Sequence, residues 1–152
     1  MKPRVAVFSF TSCEGCSLTI LECENELLDV VNLVEIVRWR EAMTETSDDI
    51  DIALVDGSIS THNDIRKIKQ IREMAKMVIP IGACAYNAGV NALKNRFGMG
   101  EVRETVYGPE GMQFDTIPAR PISAVIPVEF ALPGCPIDRE EFLKTIRALL
   151  DS

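Results

Sequence analysis

Residues 4–16, Arg-Val-Ala-Val-Phe-Ser-Phe-Thr-Ser-Cys-Glu-Gly-Cys, decide the fold. Arg4–Phe10 is a β-branched and aromatic run of the kind that fits a pleated, half-buried surface. A loop carrying Cys13 and Cys16 follows, and Leu18–Val31 then places apolar residues at 20, 21, 27, 28 and 31, which is helical spacing. Strand, loop and helix in that order open a βαβ unit and put two thiols at the carboxyl end of its first strand.

The alternation continues outward from this segment. Val34–Trp39 and Ile52–Val55 read as strands, the second a continuous apolar run as expected inside a parallel sheet. Between Thr61 and Lys76, the residues Ile65, Ile68, Ile71 and Ala75 mark one face of a helix, with Thr61 or Asn63 available as its cap. Met77–Ile81 is a further strand, and Ala88–Phe97 a short helix stopped by Gly98. Gly98–Ser123, rich in Gly and Pro without a sustained period, reads as an irregular segment that covers the domain or touches a partner. Ala124–Val128 reads as a last strand. Asp138-Arg-Glu-Glu141 resembles a capping box opening a helix whose stripe is Phe142, Leu143, Ile146, Leu149 and Leu150. Such alternation predicts an α/β fold, a doubly wound parallel sheet with helices on both faces, with residues 1–152 as a single domain.

Composition narrows the function. A formal charge of −7 and a sequence pI of about 4.8 argue against nucleic acid or an anionic membrane surface as the main partner, since both select clustered Lys and Arg. No run of about 18 apolar residues is present, and Met1-Lys2-Pro3-Arg4 leads straight into the first strand without a signal-type apolar region, so a cytoplasmic location without membrane insertion is expected. The chain is long enough to hold a core without staples. Its five cysteines, an odd number, therefore point to metal binding, redox chemistry or burial.

Four of the five follow strands. Cys13 and Cys16 come after the first, Cys84 after the strand ending near Ile81, and Cys135 after the last candidate strand, so all four can meet at the carboxyl edge where doubly wound sheets carry their sites. Cys23 cannot join them, because seven residues beyond Cys16 it lies about 10 Å along the helix. Each of the four has a glycine within two positions, which lets bare backbone approach a sulfur and offer N–H groups. Thiolates suit zinc or iron–sulfur clusters. Zinc sites usually come as two close pairs, whereas here one pair is joined by singletons 51 positions apart. A thioredoxin-like Cys13-x-x-Cys16 pair at a helix N-terminus would leave Cys84 and Cys135 unexplained. A phosphate loop built on Ser9, Thr11 and Ser12 would carry Glu14 where no negative charge is wanted. Four thiolates match the one-per-iron count of a [4Fe-4S] cluster, and Cys135 is followed by proline, as is the last cysteine of ferredoxin-type runs.

Taken in order, Cys13-Glu14-Gly15-Cys16, Leu54-Val55-Asp56-Gly57-Ser58, Gly82-Ala83-Cys84-Ala85, and Pro127-Val128-Glu129 leading to Leu132-Pro133-Gly134-Cys135-Pro136 resemble the small subunit of [NiFe] hydrogenases and the related 20 kDa cluster-bearing subunit of respiratory complex I. The resemblance covers about residues 4–138. It implies a flavodoxin-like domain in which Cys13, Cys16, Cys84 and Cys135 hold the proximal [4Fe-4S] cluster, with no catalytic residue of its own. The nickel–iron centre is then expected in a separate large subunit, and a further iron–sulfur or diaphorase-type flavin subunit as the second partner. Complex I subunits have adjacent cysteines in the first block; the two residues between Cys13 and Cys16 favour the hydrogenase side. Membrane-bound uptake hydrogenases usually have an acid where Leu18 stands and a second domain with two more clusters. With no cysteine after Cys135, this chain is more similar to the short small subunit of cytoplasmic, multi-subunit hydrogenases.

Other residues are read beside this set. Glu24, within the apolar stripe of Ile20, Leu27 and Val31, is either a buried acid near the cluster or an acid paired for structure. Glu14 is loop filler facing the large subunit. Cys23, on the same apolar face, is expected to pack as a hydrophobe. Arg66, Lys67, Lys69, Arg72 and Lys76 give the Asp64–Lys76 helix a basic face, either solvated or docking an acidic partner. His62, the lone histidine, is expected to cap or face solvent.

Overall fold

The computed structural model describes residues 1–152 apart from the side chains of Glu24 and Leu27; the reading of Glu24 as a buried acid lies outside the described residues. Four parallel strands, β1 (Arg4–Ser9), β2 (Glu35–Trp39), β3 (Ile50–Asp56) and β4 (Ala75–Ile81), lie in the order β2-β1-β3-β4. Among the described residues six α-helices accompany them: α1 (Gly15–Leu21), α2 (Glu24–Leu33), α3 (His62–Met74), α4 (Gly82–Asn87), α5 (Met99–Tyr107) and α6 (Arg139–Leu150).

The period-2 alternation of strand side chains builds two cores. Val5, Val7, Ile52, Leu54, Ile79 and Ile81 face one way and meet Ile20 of α1, Val30 of α2, and Phe142, Leu143 and Ile146 of α6. Ala6, Ala53, Val55 and Val78 face the other way, against Ile68 and Ile71 of α3 and against Ile117, Ile122 and Ile126. Burying each large aliphatic side chain contributes about 1.5–3 kcal/mol. Helices thus cover both faces, as the alternation predicts. At α3 the cap is Thr61: its hydroxyl accepts from the Asp64 N–H, and the Asp64 carboxylate accepts from the Thr61 N–H. Asp138 caps α6 by accepting from the Glu141 N–H.

Three local expectations need correction. The first helix is two, because the chain turns at Glu22 and Cys23 before α2 restarts; the phase shift buries Val30 and Val34 and leaves Val31 at the surface. The segment 98–123 is not irregular throughout: it holds α5 and a 3-10 turn at Gly108–Gln113, with Gly98 at the N-terminal boundary of α5. Ala124–Val128 forms no strand. The fifth sheet position is instead a single parallel bridge from Ile81 to Leu132, with the Leu132 N–H donating to Pro80 O at 2.9 Å. Farther along the same edge, the Glu129 carboxylate accepts from the Val78 N–H at 2.8 Å, so a side chain closes the ladder that a strand would have closed.

Candidate metal centre

Register brings the cysteines together. Ser9 pairs with Asp56 and Asp56 with Ile81, so the strand ends are level and the loops leaving β1 and β4 emerge side by side. The Ile81–Leu132 bridge draws the last segment to the same edge, where Gly82 N–H donates to Leu132 O at 2.7 Å and Ala83 N–H to Gly134 O at 2.6 Å. Cys13 lies just before α1, Cys16 in its first turn, Cys84 in the first turn of α4, and Cys135 in the turn closed by the Gly134–Ile137 bridge. Cys13 and Cys135 are exposed, Cys84 is half-buried and Cys16 is buried.

Two glycines make the approach possible. A Cβ on Gly82 would run into the Sγ of Cys16, and φ of +82° independently demands glycine there. At Gly134, with φ +128°, a Cβ would come within 2.7 Å of Pro136 O.

Cys16 and Cys84 both ionise less readily than a free thiol. Burial pushes the Cys16 thiol up to about 11; the Ile137 N–H, donating to its sulfur, works the other way, while Asp56, Cys84 and Cys13 add repulsion. Cys84 is raised by burial first, then by Asp56, Cys13 and Cys135. A metal deprotonates a coordinating thiol outright, so thiols held protonated here would bind one as thiolates. Among the described residues no three His, Cys, Asp or Glu groups converge as one metal ion requires. A [4Fe-4S] cluster binds one thiolate per iron and does not ask the four to meet on a single ion. The all-sulfur donor set and the glycine-cleared approach fit such a group.

Next to the thiols lies Asp56, only 2% exposed, and burial raises its carboxyl above the usual range. The Ser12 hydroxyl works against that shift, and the Ser17 hydroxyl donates to the carboxylate at 3.5 Å. The sequence reading missed Asp56 as part of the site, although an acid ending an apolar strand just before glycine was a usable signal. It also missed Arg40, whose Nη2 donates to Glu14 Oε1 at 2.6 Å. Glu14 is thus more than loop filler: it holds a left-handed φ of +62° between the two cysteines, and its N–H donates to Ser12 Oγ at 3.1 Å.

The remaining candidates sit elsewhere. Cys23 is fully buried in the core on the α1 side, its thiol donating to Thr19 O at 3.4 Å. His62 pairs with Asp115, Nδ1 to Oδ1 at 2.7 Å. Of the basic face on α3, Arg72 is occupied by Glu129 and by the Ala75 and Lys76 carbonyls, and Lys76 by Asp51.

The chain is similar to known proteins over most of its length. The chain is 32% identical to sulfhydrogenase 2 subunit delta of Pyrococcus furiosus over 144 residues, 94% of this chain and 60% of that protein. It is 29% identical to a protein of the F420-non-reducing hydrogenase of Methanococcus voltae, covering 99% of this chain and 57% of that one. The chain therefore spans about three fifths of the length of these relatives. Among solved structures, a chain of an NAD+-reducing [NiFe]-hydrogenase in the H2-reduced state superposes with a TM-score of 0.90 at 24% identity, covering 99% of this chain and 92% of that one; this likeness is one of fold. Residues 13–149, from the first of the four cysteines to beyond the last, match the family described as NADH ubiquinone oxidoreductase, 20 Kd subunit, and the chain belongs to that family.

Proposed function

We propose that this chain is the electron-transfer small subunit of a cytoplasmic [NiFe] hydrogenase complex, in which Cys13, Cys16, Cys84 and Cys135 hold one proximal [4Fe-4S] cluster. The observation that carries the reading is the meeting of three cysteine-bearing segments at one sheet edge: the Gly82–Leu132 and Ala83–Gly134 hydrogen bonds join the Cys84 and Cys135 segments, and the Ile137 N–H reaches the Cys16 sulfur. When bound, such a cluster takes up and releases one electron at a time, with a potential set by net charge, N–H donors and exposure. The chain itself supplies thiolates, the Ile137 N–H to Cys16, and a wall of buried side chains that keeps water from Cys16. The nickel–iron centre belongs to a large subunit. An apolar surface for that partner is present on the segment following Cys84, where Tyr86, Val90, Leu93, Phe97, Val106 and Met112 are all exposed. The second partner is a subunit bearing flavin or iron–sulfur centres.

Iron and acid-labile sulfide on anaerobically purified protein test the reading. About four of each per chain, with nickel in a co-purifying subunit, is the expected result. Zinc instead, or neither metal nor sulfide, would overturn it. Four irons without a nickel-bearing partner would favour a complex I-like oxidoreductase, the reading that the family description also supports.

A further inference from the structure

Cys13 is exposed, and residues 12–14 around it belong to no strand or helix. Its loop is tied down just before it, where Thr11 and Ser58 form an antiparallel bridge and Ser58 N–H donates to Thr11 O at 2.9 Å. A third residue joins that pair. Asn91 Nδ2 donates to Thr11 O at 2.8 Å and to the buried Ser58 Oγ at 2.9 Å, which uses both of its N–H groups.

Asn91 is in turn held against Cys84. The chain reverses after α4 at Ala88 and Gly89, both with positive φ, +68° and +51°. The reversal lays Gly89 on the backbone of Cys84, where a Cβ would come within 3.2 Å of the Cys84 nitrogen. Ala88 is buried and is not a glycine, and such backbone persists only where its surroundings over-determine it. A 3-10 helix, Gly89–Arg96, starts at that seat and carries Asn91 to Thr11. Among the described residues, the Asn91–Thr11 bond is the sole hydrogen bond between the segment that bears Cys84 and the loop that bears Cys13.

We propose that Asn91 is a positioning residue for the iron–sulfur cluster, fixing where Cys13 stands relative to Cys84. The inference rests on the electron-transfer reading above and adds the residue that keeps two ligands from distant segments in step. Donor chemistry argues for the role. Thr11 O can only accept, so an aspartate of the same shape would set oxygen against oxygen there, and alanine would reach neither partner. Asn95 supplies the contrast. Four residues on in the same 3-10 helix, it exchanges hydrogen bonds of 2.8 and 2.7 Å with the Ala119 backbone rather than with a cysteine-bearing loop.

The test uses the full chain purified anaerobically. Asn91→Ala is expected to release iron to a chelator about tenfold faster, to broaden the electron paramagnetic resonance signal of the reduced protein, and to speed amide exchange at Thr11 and Ser58. Asn91→Asp, which keeps the shape and removes the donors, is expected to do the same. Asn95→Ala loses as many bonds and should leave iron release and the signal as in the wild type. Unaltered exchange at Thr11 and Ser58, or unaltered release and signal, in both Asn91 variants would overturn the proposal. So would equal changes in Asn95→Ala, which would mark a general loosening of the helix. A wild-type chain without iron overturns the electron-transfer reading itself, whereas four irons released at a rate indifferent to Asn91 overturn only the positioning.

Discussion

The Sγ of Cys16 fills the space that a Cβ on Gly82 would need, which interlocks the first turn of α1 with the end of β4. Gly82→Ala adds both a steric overlap and a disfavoured positive φ, so it is expected to cost roughly 2–4 kcal/mol and to lower the iron retained after reconstitution. Urea unfolding and iron per chain read the two effects separately; an unchanged midpoint would mean that the overlap relaxes freely.

The five cysteines are expected to divide four to one. Cys16→Ser and Cys84→Ser should each leave less than a full complement of iron. Cys23→Ala should keep its iron and lose about 1–2 kcal/mol of packing, because its side chain is fully buried in the core. Iron analysis of the three variants decides, and iron loss from Cys23→Ala would move that residue into the site.

Asp51 ties three elements at the opposite end of the sheet: it accepts from the Arg4 N–H at 2.8 Å and from Lys76 Nζ at 2.7 Å. The Arg4 N–H, then Lys76, lowers its carboxyl from 3.8 to about 2. A depressed acid stabilises the fold above its unfolded value and loses that contribution as pH falls through the folded one. Stability should therefore decline between about pH 4 and pH 2, by about 1 kcal/mol after allowing for solvent screening at Lys76. Asp51→Asn should lose a similar amount at neutral pH and flatten that part of the acid limb in a denaturation series.

Arg40 neutralises Glu14 beside the candidate ligands. Removing it with Arg40→Ala leaves an uncompensated carboxylate there and is expected to lower the reduction potential of the bound cluster, while Glu14→Gln raises it. Because Arg40 is well exposed, the same change should move stability by only about 0.5 kcal/mol. Redox titration followed by electron paramagnetic resonance reads the potentials; equal potentials in all three proteins would confine the pair to shaping the loop.

Glu129 closes the β4 edge by accepting from the Val78 N–H at 2.8 Å while Arg72 holds it in place at 3.0 Å. Glu129→Ala strands that amide and should cost about 1–3 kcal/mol, with Glu129→Gln recovering part of it. Thermal unfolding, and faster exchange of the Val78 amide, check this.

Much of the fold is legible in the chain alone. The β1 run, the apolar β3 segment and the α3 stripe carry their own periods, and Thr61 and Asp138 carry the chemistry of caps. The break at Cys23 is not legible there, since both halves keep helical spacing and only their packing on the sheet shows the change of phase. Gly98 and Gly100 hide α5, which has no buried residue to leave a stripe. Asp56 and Arg40 escape because what matters about them is contact with residues far along the chain.

What the sequence determined by itself is the kind of protein: local periodicity specifies the strands and helices, and thiol chemistry with its neighbouring glycines marks four candidate ligands after strands. What only the tertiary structure decided is how that site closes. Leu132 rather than a fifth strand reaches the sheet, Asp56 lies buried next to the thiols, and the crossover from β2 to β3 runs without a helix. These depend on register and on which surfaces remain uncovered, and such properties arise between segments, so neither composition nor spacing within any one segment encodes them.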